Sequence, residues 1–319
     1  MGDKFYSRIA LSGGVWYYID MENEKITGKN NKKYVLVTGA FGGMGLKTCE
    51  LLLKKDYAVI ALDKKVKTAA FQDTVTGVPL PFYPIECDVT DENSVKEAYL
   101  EVTEITGNLF AIIHFAGIYM LDSLIEIPES NMRKIFDVNF FGAYLINKNF
   151  ADMLVKNGRI IITTSELAPL DPLPFTGIYA VTKGALDKYA YSLRMELQLK
   201  DIYVSVIRAG AVSTGMLGVS TAELDKFCEK TTRYKYNAER FRKIVDSVEA
   251  KAVPPEKIAG KAIKILEKNK PKFAYSINRN KLLVLLDILP KSVRFYAIKK
   301  VLKPKLEQKD LSENTAKNK

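Results

Sequence analysis

Histidine and cysteine are scarce in this 319-residue chain: one His, His114, and three Cys, Cys49, Cys87 and Cys228. Three scattered cysteines with no Cys-x-x-Cys pair cannot build a disulfide framework, and such usage fits a reducing cytosol. A single histidine would leave zinc mostly to carboxylates, so a metal site is not expected. His114 lies in the apolar run Leu109 to Phe115 and reads as a satisfied core residue. Long apolar runs are also missing. The longest, Leu282 to Leu289, is far shorter than the ~20 residues of a membrane span and contains Asp287. Met1 to Ala10 holds Asp3, Lys4 and Arg8 with no apolar stretch, so no secretory signal is expected. Tyr6 stands where an N-myristoylation motif needs Ser or Thr. These absences lead us to expect a cytoplasmic protein.

What is present is a globular composition, 47% hydrophobic, on a chain long enough to bury a full core. Net charge is +11 and unevenly spread: residues 270–305 hold ten Lys/Arg and one acid, Asp287. Short runs of β-formers alternate with helical periodicity. Strands are expected at Tyr34–Val37, Ala58–Leu62, Phe82–Cys87, Leu109–Phe115, Arg159–Thr164, Tyr203–Ile207 and Lys272–Ile277. Helices are expected at Met44–Lys55, Asp91–Thr106, most of Pro128–Lys156, Gly177–Lys200 and Pro255–Lys268. This alternation predicts an α/β fold, a doubly wound parallel sheet with helices on both faces. It occupies 33–277 as one domain. Residues 1–32 form an extension with the aromatic cluster Trp16, Tyr17 and Tyr18, expected as an extra strand or flap; residues 278–319 form a basic tail, frayed from Glu307.

Between the first strand and first helix runs Thr38-Gly39-Ala40-Phe41-Gly42-Gly43-Met44-Gly45. Glycines there tolerate positive φ and let backbone approach a pyrophosphate, while the helix N-terminus supplies N–H groups and a positive dipole end. Asp63 closes the second strand, where a carboxylate can accept hydrogen bonds from the ribose of NAD and would repel a 2′-phosphate. NAD is therefore expected over NADP, with Lys64 and Lys65 partly offsetting that repulsion. Farther on, Tyr179 and Lys183 stand four residues apart, one helical turn on one face. A cation near a phenol favours the phenolate, so such a pair can shuttle a proton. Alone the pair means little. Here it follows the glycine turn, Asn139, and Ser165 fourteen residues before the tyrosine.

With these pieces together, residues 33–250 resemble the short-chain dehydrogenase/reductase family. The turn matches its Thr-Gly-x-x-x-Gly-x-Gly, Cys87-Asp88-Val89 its third-strand end beside the adenine, and Asn139, Ser165, Tyr179 and Lys183 its catalytic set. Arg208-Ala209-Gly210-Ala211-Val212-Ser213-Thr214 is similar to its segment that holds the carboxamide. The resemblance implies a Rossmann-type fold and an oxidoreductase interconverting a secondary alcohol and a ketone. Tyr179 would exchange the proton, with Lys183 lowering its pKa and contacting the nicotinamide ribose. Ser165 would hydrogen-bond the carbonyl, and Asn139 would hold a relay water. Two departures stand out: Phe115-Ala116-Gly117 replaces the usual Asn-Ala-Gly, so another group must brace the sheet, and Ala209 replaces a usual Pro. Ser165 also lies one or two residues farther from the tyrosine than in many members; Glu166, Thr164 and Thr163 are its neighbours.

Residues 213–250, with Met216, Leu217, Phe227, Tyr234, Tyr236 and Phe241, fall where the family has its substrate lid. Apolar lining suits a steroid, retinoid or lipid-derived carbonyl. The family often pairs its long helices, here about 133–156 and 177–200, so a homodimer or tetramer is expected; Phe140, Phe141 and Tyr144 read as core or interface. In the tail, Val293, Phe295, Ala297, Ile298, Val301 and Leu302 share a broad helical arc that Arg294 interrupts, opposite Lys299, Lys300 and Lys303. That pattern fits either packing on the body or peripheral membrane contact through 281–303; nucleic-acid binding is not expected, since no reading motif accompanies the charge. Other readings of the fold are a non-catalytic nucleotide-sensing scaffold, which the complete Asn/Ser/Tyr/Lys set argues against, and an epimerase or dehydratase.

Overall fold

The computed structural model describes residues 32–66, 79–249 and 252–303, plus three strands within 6–27, with no side chains described for 217–221 and 246–249. Those first strands, β1 (Tyr6–Leu11), β2 (Val15–Asp20) and β3 (Lys25–Thr27), pair only with each other, in an antiparallel sheet of order β1-β2-β3. The extension is thus a separate three-stranded sheet rather than one added strand. Its short segments find partners in their immediate neighbours, as in the register Tyr6 to Asp20 and Asp20 to Lys25. The side chains of Trp16, Tyr17 and Tyr18 lie outside the described residues.

The main sheet has seven strands: β4 (Tyr34–Thr38), β5 (Ala58–Asp63), β6 (Phe82–Glu86), β7 (Leu109–His114), β8 (Leu154–Thr163), β9 (Tyr203–Ala209) and β10 (Ala274–Ile277). Their order is β10-β9-β8-β7-β4-β5-β6, and every pairing is parallel. Apolar residues occupy both faces of the central strands, which is why these strands read as unbroken apolar runs. On β4, Val35 and Val37 pack one way, with α1 (Gly43–Lys54) and α8 (Pro255–Leu266), while Leu36 packs the other way, with α2 (Glu92–Ile105), α4 (Gly142–Phe150) and α5 (Gly177–Leu197). Strand order reverses between β4 and β7, and a crevice opens at the carboxyl ends of those two strands.

Three stretches differ from the expected elements. The helical run after Pro128 is broken: α3 (Glu129–Phe136) passes through a π-helical turn, Asp137–Phe141, into α4, then a short turn of 3-10 helix, Ala151–Met153. β8 accordingly starts at Leu154, earlier than the expected Arg159. Residues 213–250 hold two helices, α6 (Gly215–Lys230) and α7 (Lys235–Glu249). The tail folds as α9 (Lys281–Ile288) and α10 (Lys291–Leu302), separated where Pro290, lacking an N–H, precedes α10. Among the described residues no helix is long and apolar enough to cross a membrane, and no cluster of His, Cys, Asp and Glu could hold a metal ion.

Candidate active site

The turn from β4 into α1 is built by glycines that nothing larger can replace. Gly39 has φ +63°, and a Cβ there would lie 2.6 Å from the Ala116 nitrogen. A Cβ on Gly45 would lie 2.1 Å from the Gly39 carbonyl oxygen, and one on Gly43 would lie 2.9 Å from Thr214 Cγ2. Helix α1 begins at Gly43 after Gly42, with no side chain capping it. This leaves a bare helix N-terminus at a crevice, a site suited to a phosphate. Thr38 Oγ1 accepts the Ala116 N–H at 3.4 Å and ties the turn to the strand end of β7.

The same cavity is lined by Asp63, Asp88, Val89, Ala116 and Gly117. The Asp63 carboxylate accepts the Phe41 N–H at 2.9 Å and the Lys65 N–H at 3.3 Å, which fixes its orientation at the end of β5. Lys64 is ion-paired with Asp88 at 2.5 Å, and Asp88 also accepts the Thr90 N–H and hydroxyl. A cradle closed to any Cβ and a held carboxylate at the second strand end fit a dinucleotide's pyrophosphate and ribose. The brace lost with Phe115 is supplied one residue earlier. Buried His114 Nε2 bonds Asn147 Oδ1 at 3.0 Å, and Asn147 Nδ2 donates to the Tyr189 hydroxyl at 3.3 Å, joining β7 to α4 and α5. Burial pushes the imidazole down to about 4, so His114 is neutral, the core residue its sequence position implies.

Ser165, Tyr179 and Lys183 line the crevice, and Asn139 is buried behind it. Asn139 lies on the π-helical turn, a distortion frequent at functional sites. Its Oδ1 accepts the Ile118 N–H at 2.8 Å, and its Nδ2 donates to the Ile118 carbonyl at 3.0 Å and to Thr182 Oγ1 at 3.2 Å. The visible work of this amide is to clamp the loop after β7 onto α5. Ser165 is buried just beyond β8, accepts the Leu167 N–H at 3.2 Å and lines the same cavity as Tyr179, near enough to its phenol to favour the phenolate. The two adjacent side chains, which also line the cavity, are bonded to other groups: Thr164 Oγ1 donates to Asp187 at 3.2 Å, and Glu166 accepts the Asn280 N–H at 2.5 Å. The longer spacing to Tyr179 lies in the loop between β8 and α5, and Ser165 and Tyr179 still line one cavity.

One electrostatic expectation is corrected. Burial pushes the Tyr179 phenol up to about 12, with the Ser165 hydrogen bond opposing, rather than Lys183 pulling it down. The Lys183 ammonium lies 5.9 Å from the Tyr179 ring centre and donates to the Thr163 carbonyl at 3.3 Å; burial pushes it down to about 8. Desolvation disfavours both charged forms. Tyr179 is thus held protonated at neutral pH. Its ring packs on Tyr119, centres 4.8 Å apart.

Tyr179, Ser165 and Lys183 line a second cavity that joins the first along Met44, Phe115, Gly117, Tyr119, Thr214 and Met216. Gly210 and Val212 stand in its wall; a Cβ on Gly210 would lie 2.1 Å from the Asn278 carbonyl oxygen, and Val212 bridges to Val253. Most of the remaining wall is apolar, including Leu173, Phe241, Ile244, Val245 and Leu283, with Thr163, Thr164, Glu166, Thr176 and Asn280 as its polar members. Phe227, Tyr234 and Phe241 pack their rings on Phe175, which sits at φ +67° beneath the α6–α7 pair. Two groups were not legible in advance. Glu166 lines this cavity, its carboxyl pushed up by burial. Arg208 grips Asp187 through two bonds of 3.0 and 2.7 Å, fixing α5 to β9 beneath the site. Only the position of Glu166 beside Ser165 could have flagged the first; no motif marks the second.

A family model described as short chain dehydrogenase matches residues 33–225. The NADPH-dependent 1-acyldihydroxyacetone phosphate reductase of Schizosaccharomyces pombe is 32% identical over 185 residues, covering 57% of this chain and 61% of that protein. Estradiol 17-beta-dehydrogenase 2 of Mus musculus is 33% identical over 193 residues, 59% of this chain and 50% of that one. The chain therefore spans less than two thirds of these two relatives' lengths. A crystal structure of a short chain dehydrogenase family protein from Francisella tularensis superposes with a TM-score of 0.63 at 21% identity, over 78% of this chain and 98% of that one. At that identity it speaks for the fold alone.

Proposed function

Because the chain belongs to the short-chain dehydrogenase/reductase family, an NAD(P)-dependent oxidoreductase family, we propose that it interconverts a lipophilic secondary alcohol and its ketone. The carrying observation is that Ser165, Tyr179 and Lys183 together line the apolar cavity that joins the glycine-lined one. The 38–45 turn, Asp63, Asp88, Val89, Ala116, Gly117 and the 210–214 segment would hold the dinucleotide, which when bound supplies hydride exchange at the substrate carbon. Tyr179, protonated in its buried setting, gives its phenolic proton to the substrate oxygen during reduction and takes it back during oxidation. Ser165 hydrogen-bonds that oxygen and steadies its developing charge. Lys183, titrating at about 8, brings a cation under the site at neutral pH. Asn139 holds the Ile118 loop in place against α5.

The lysine that could have welcomed a 2′-phosphate, Lys64, is paired with Asp88, and Asp63 is held facing the cavity. Both features support NAD over NADP; the NADPH named for the Schizosaccharomyces pombe reductase points the other way. The apolar walls support a substrate in the steroid, retinoid or lipid-carbonyl class, and the named lipid and steroid substrates of the two relatives agree with that choice. Phe141 and Tyr144, with Val181, Tyr191 and Met195 on α5, are exposed. They support pairing of copies along these helices. The test is NADH and NADPH fluorescence turnover over a carbonyl and alcohol library. The expected result is NADH-linked reduction of sterol-like or fatty ketones; a clear preference for small sugars, or no turnover with either cofactor, would reject the reading.

A further inference from the structure

The C-terminal helix pair has two unlike sides. Its inner side is locked to the body. Arg294 is buried and ion-paired with Asp171 and with Asp287, the latter at 2.6 Å. The Asp171 N–H donates to Asp287 at 3.1 Å. Ile298 and Leu302 pack with Phe175, Phe227 and Phe241, and Asn237 donates to the Leu302 carbonyl at 2.6 Å. The buried face of α10 is therefore Arg294, Ile298 and Leu302, one turn apart each, rather than the broad apolar arc the sequence suggests. Packing on the body is met, with Arg294 as an anchor instead of an intruder.

The outer side is greasy and positive. Leu282, Leu285 and Ile288 on α9 are 62, 60 and 75% exposed, and Phe295 and Tyr296 on α10 are 67 and 66% exposed. Arg279, Lys281, Lys299, Lys300 and Lys303 are exposed around them, while Lys291 reaches Asp171 at 3.8 Å. The one acid of this segment, Asp287, is consumed by Arg294. Exposed large apolar groups within a one-sign basic rim mark an interaction surface rather than a solvated face. We propose that the outer face of α9 and α10 docks on an anionic lipid bilayer, with Leu282, Leu285, Ile288 and Phe295 entering the headgroup boundary and the lysines meeting lipid phosphates and carboxylates. Charge complementarity selects this occupant, and so does place. Leu283 on the inner side of α9 lines the apolar cavity, and Asn280 at its start is bonded to Glu166, next to Ser165. One short helix thus stands between the substrate cavity and the docked face, and a lipophilic molecule could pass from membrane to site around it.

Flotation of the full chain with phosphatidylcholine vesicles, with and without about a third phosphatidylserine, tests this. Binding to the anionic vesicles only is expected. It should fall roughly tenfold or more in Leu285→Glu/Ile288→Glu/Phe295→Glu, with an unchanged thermal melt. Should that variant fail to fold, Lys299→Glu/Lys300→Glu gives the same reading through charge alone. No binding by the wild type, or equal binding by the folded variant, overturns the proposal. So does a wild-type dimer that this variant turns into monomer without vesicle binding, which would assign the face to a second copy. Vesicle binding is read without turnover, so it stands apart from the catalytic roles above.

Discussion

At the scale of single residues, the buried His114 gives a signed prediction. Its imidazole titrates at about 4 in the fold, against ~6.5 in an unfolded chain. Between those values the unfolded state binds the extra proton, so stability rises with pH across that window and is fully present above it. About 1.4 kcal/mol per unit makes this on the order of 3 kcal/mol. Urea unfolding followed from about pH 6.5 down to 4 should show the wild type losing more stability than His114→Asn; equal slopes would mean that His114 is not buried neutral. Residues of this scale were unevenly legible. Ser165, Tyr179 and Lys183 announce themselves by type and spacing, and the fold brings them together. The raised phenol pKa was not legible, because desolvation depends on what packs around the ring. Nor was the Arg208–Asp187 grip, which joins residues 21 positions apart through tertiary contact alone.

At the scale of elements, all seven strands of the main sheet could be read: the five inner ones as apolar runs buried on both faces, and the edge strands β6 and β10, only partly buried, from their β-formers and the alternation with helices. The π-helical turn at Asp137–Phe141 could not. It widens one helical turn so that Asn139 reaches Ile118, and a Cβ on Gly142, which follows, would press within 2.7 Å of Val89; neither demand leaves a local signal. The glycine turn is legible and demanding. Gly45→Ala would set a Cβ 2.1 Å from the Gly39 carbonyl oxygen, whereas Gly215→Ala would meet nothing within 4 Å. Overpacking of that kind costs about 1–3 kcal/mol or more. The expected outcome is a lowered melting temperature and NADH affinity reduced tenfold or more for Gly45→Ala, with Gly215→Ala close to wild type in both. Unchanged NADH quenching in Gly45→Ala would remove the turn from the dinucleotide site.

At the scale of the whole molecule, the sheet's reversal between β4 and β7 puts two different cavities side by side. One has glycines and a carboxylate; the other has apolar walls closed by α6, α7 and α9. The alternation of strands and helices predicts the first. The second depends on where the lid and tail settle, which Phe175 and Arg294 decide through long-range contacts. Tyr179 lines the second cavity, its ring packed on Tyr119 where the two meet, so holding the cofactor and performing the chemistry should be separable properties. The direct test is Tyr179→Phe, measured for NADH binding by fluorescence and for turnover on the best library carbonyl. NADH affinity should stay within about twofold, while turnover falls by roughly 10²–10⁴, the usual share of a positioned acid. A variant that keeps wild-type turnover would contradict the account.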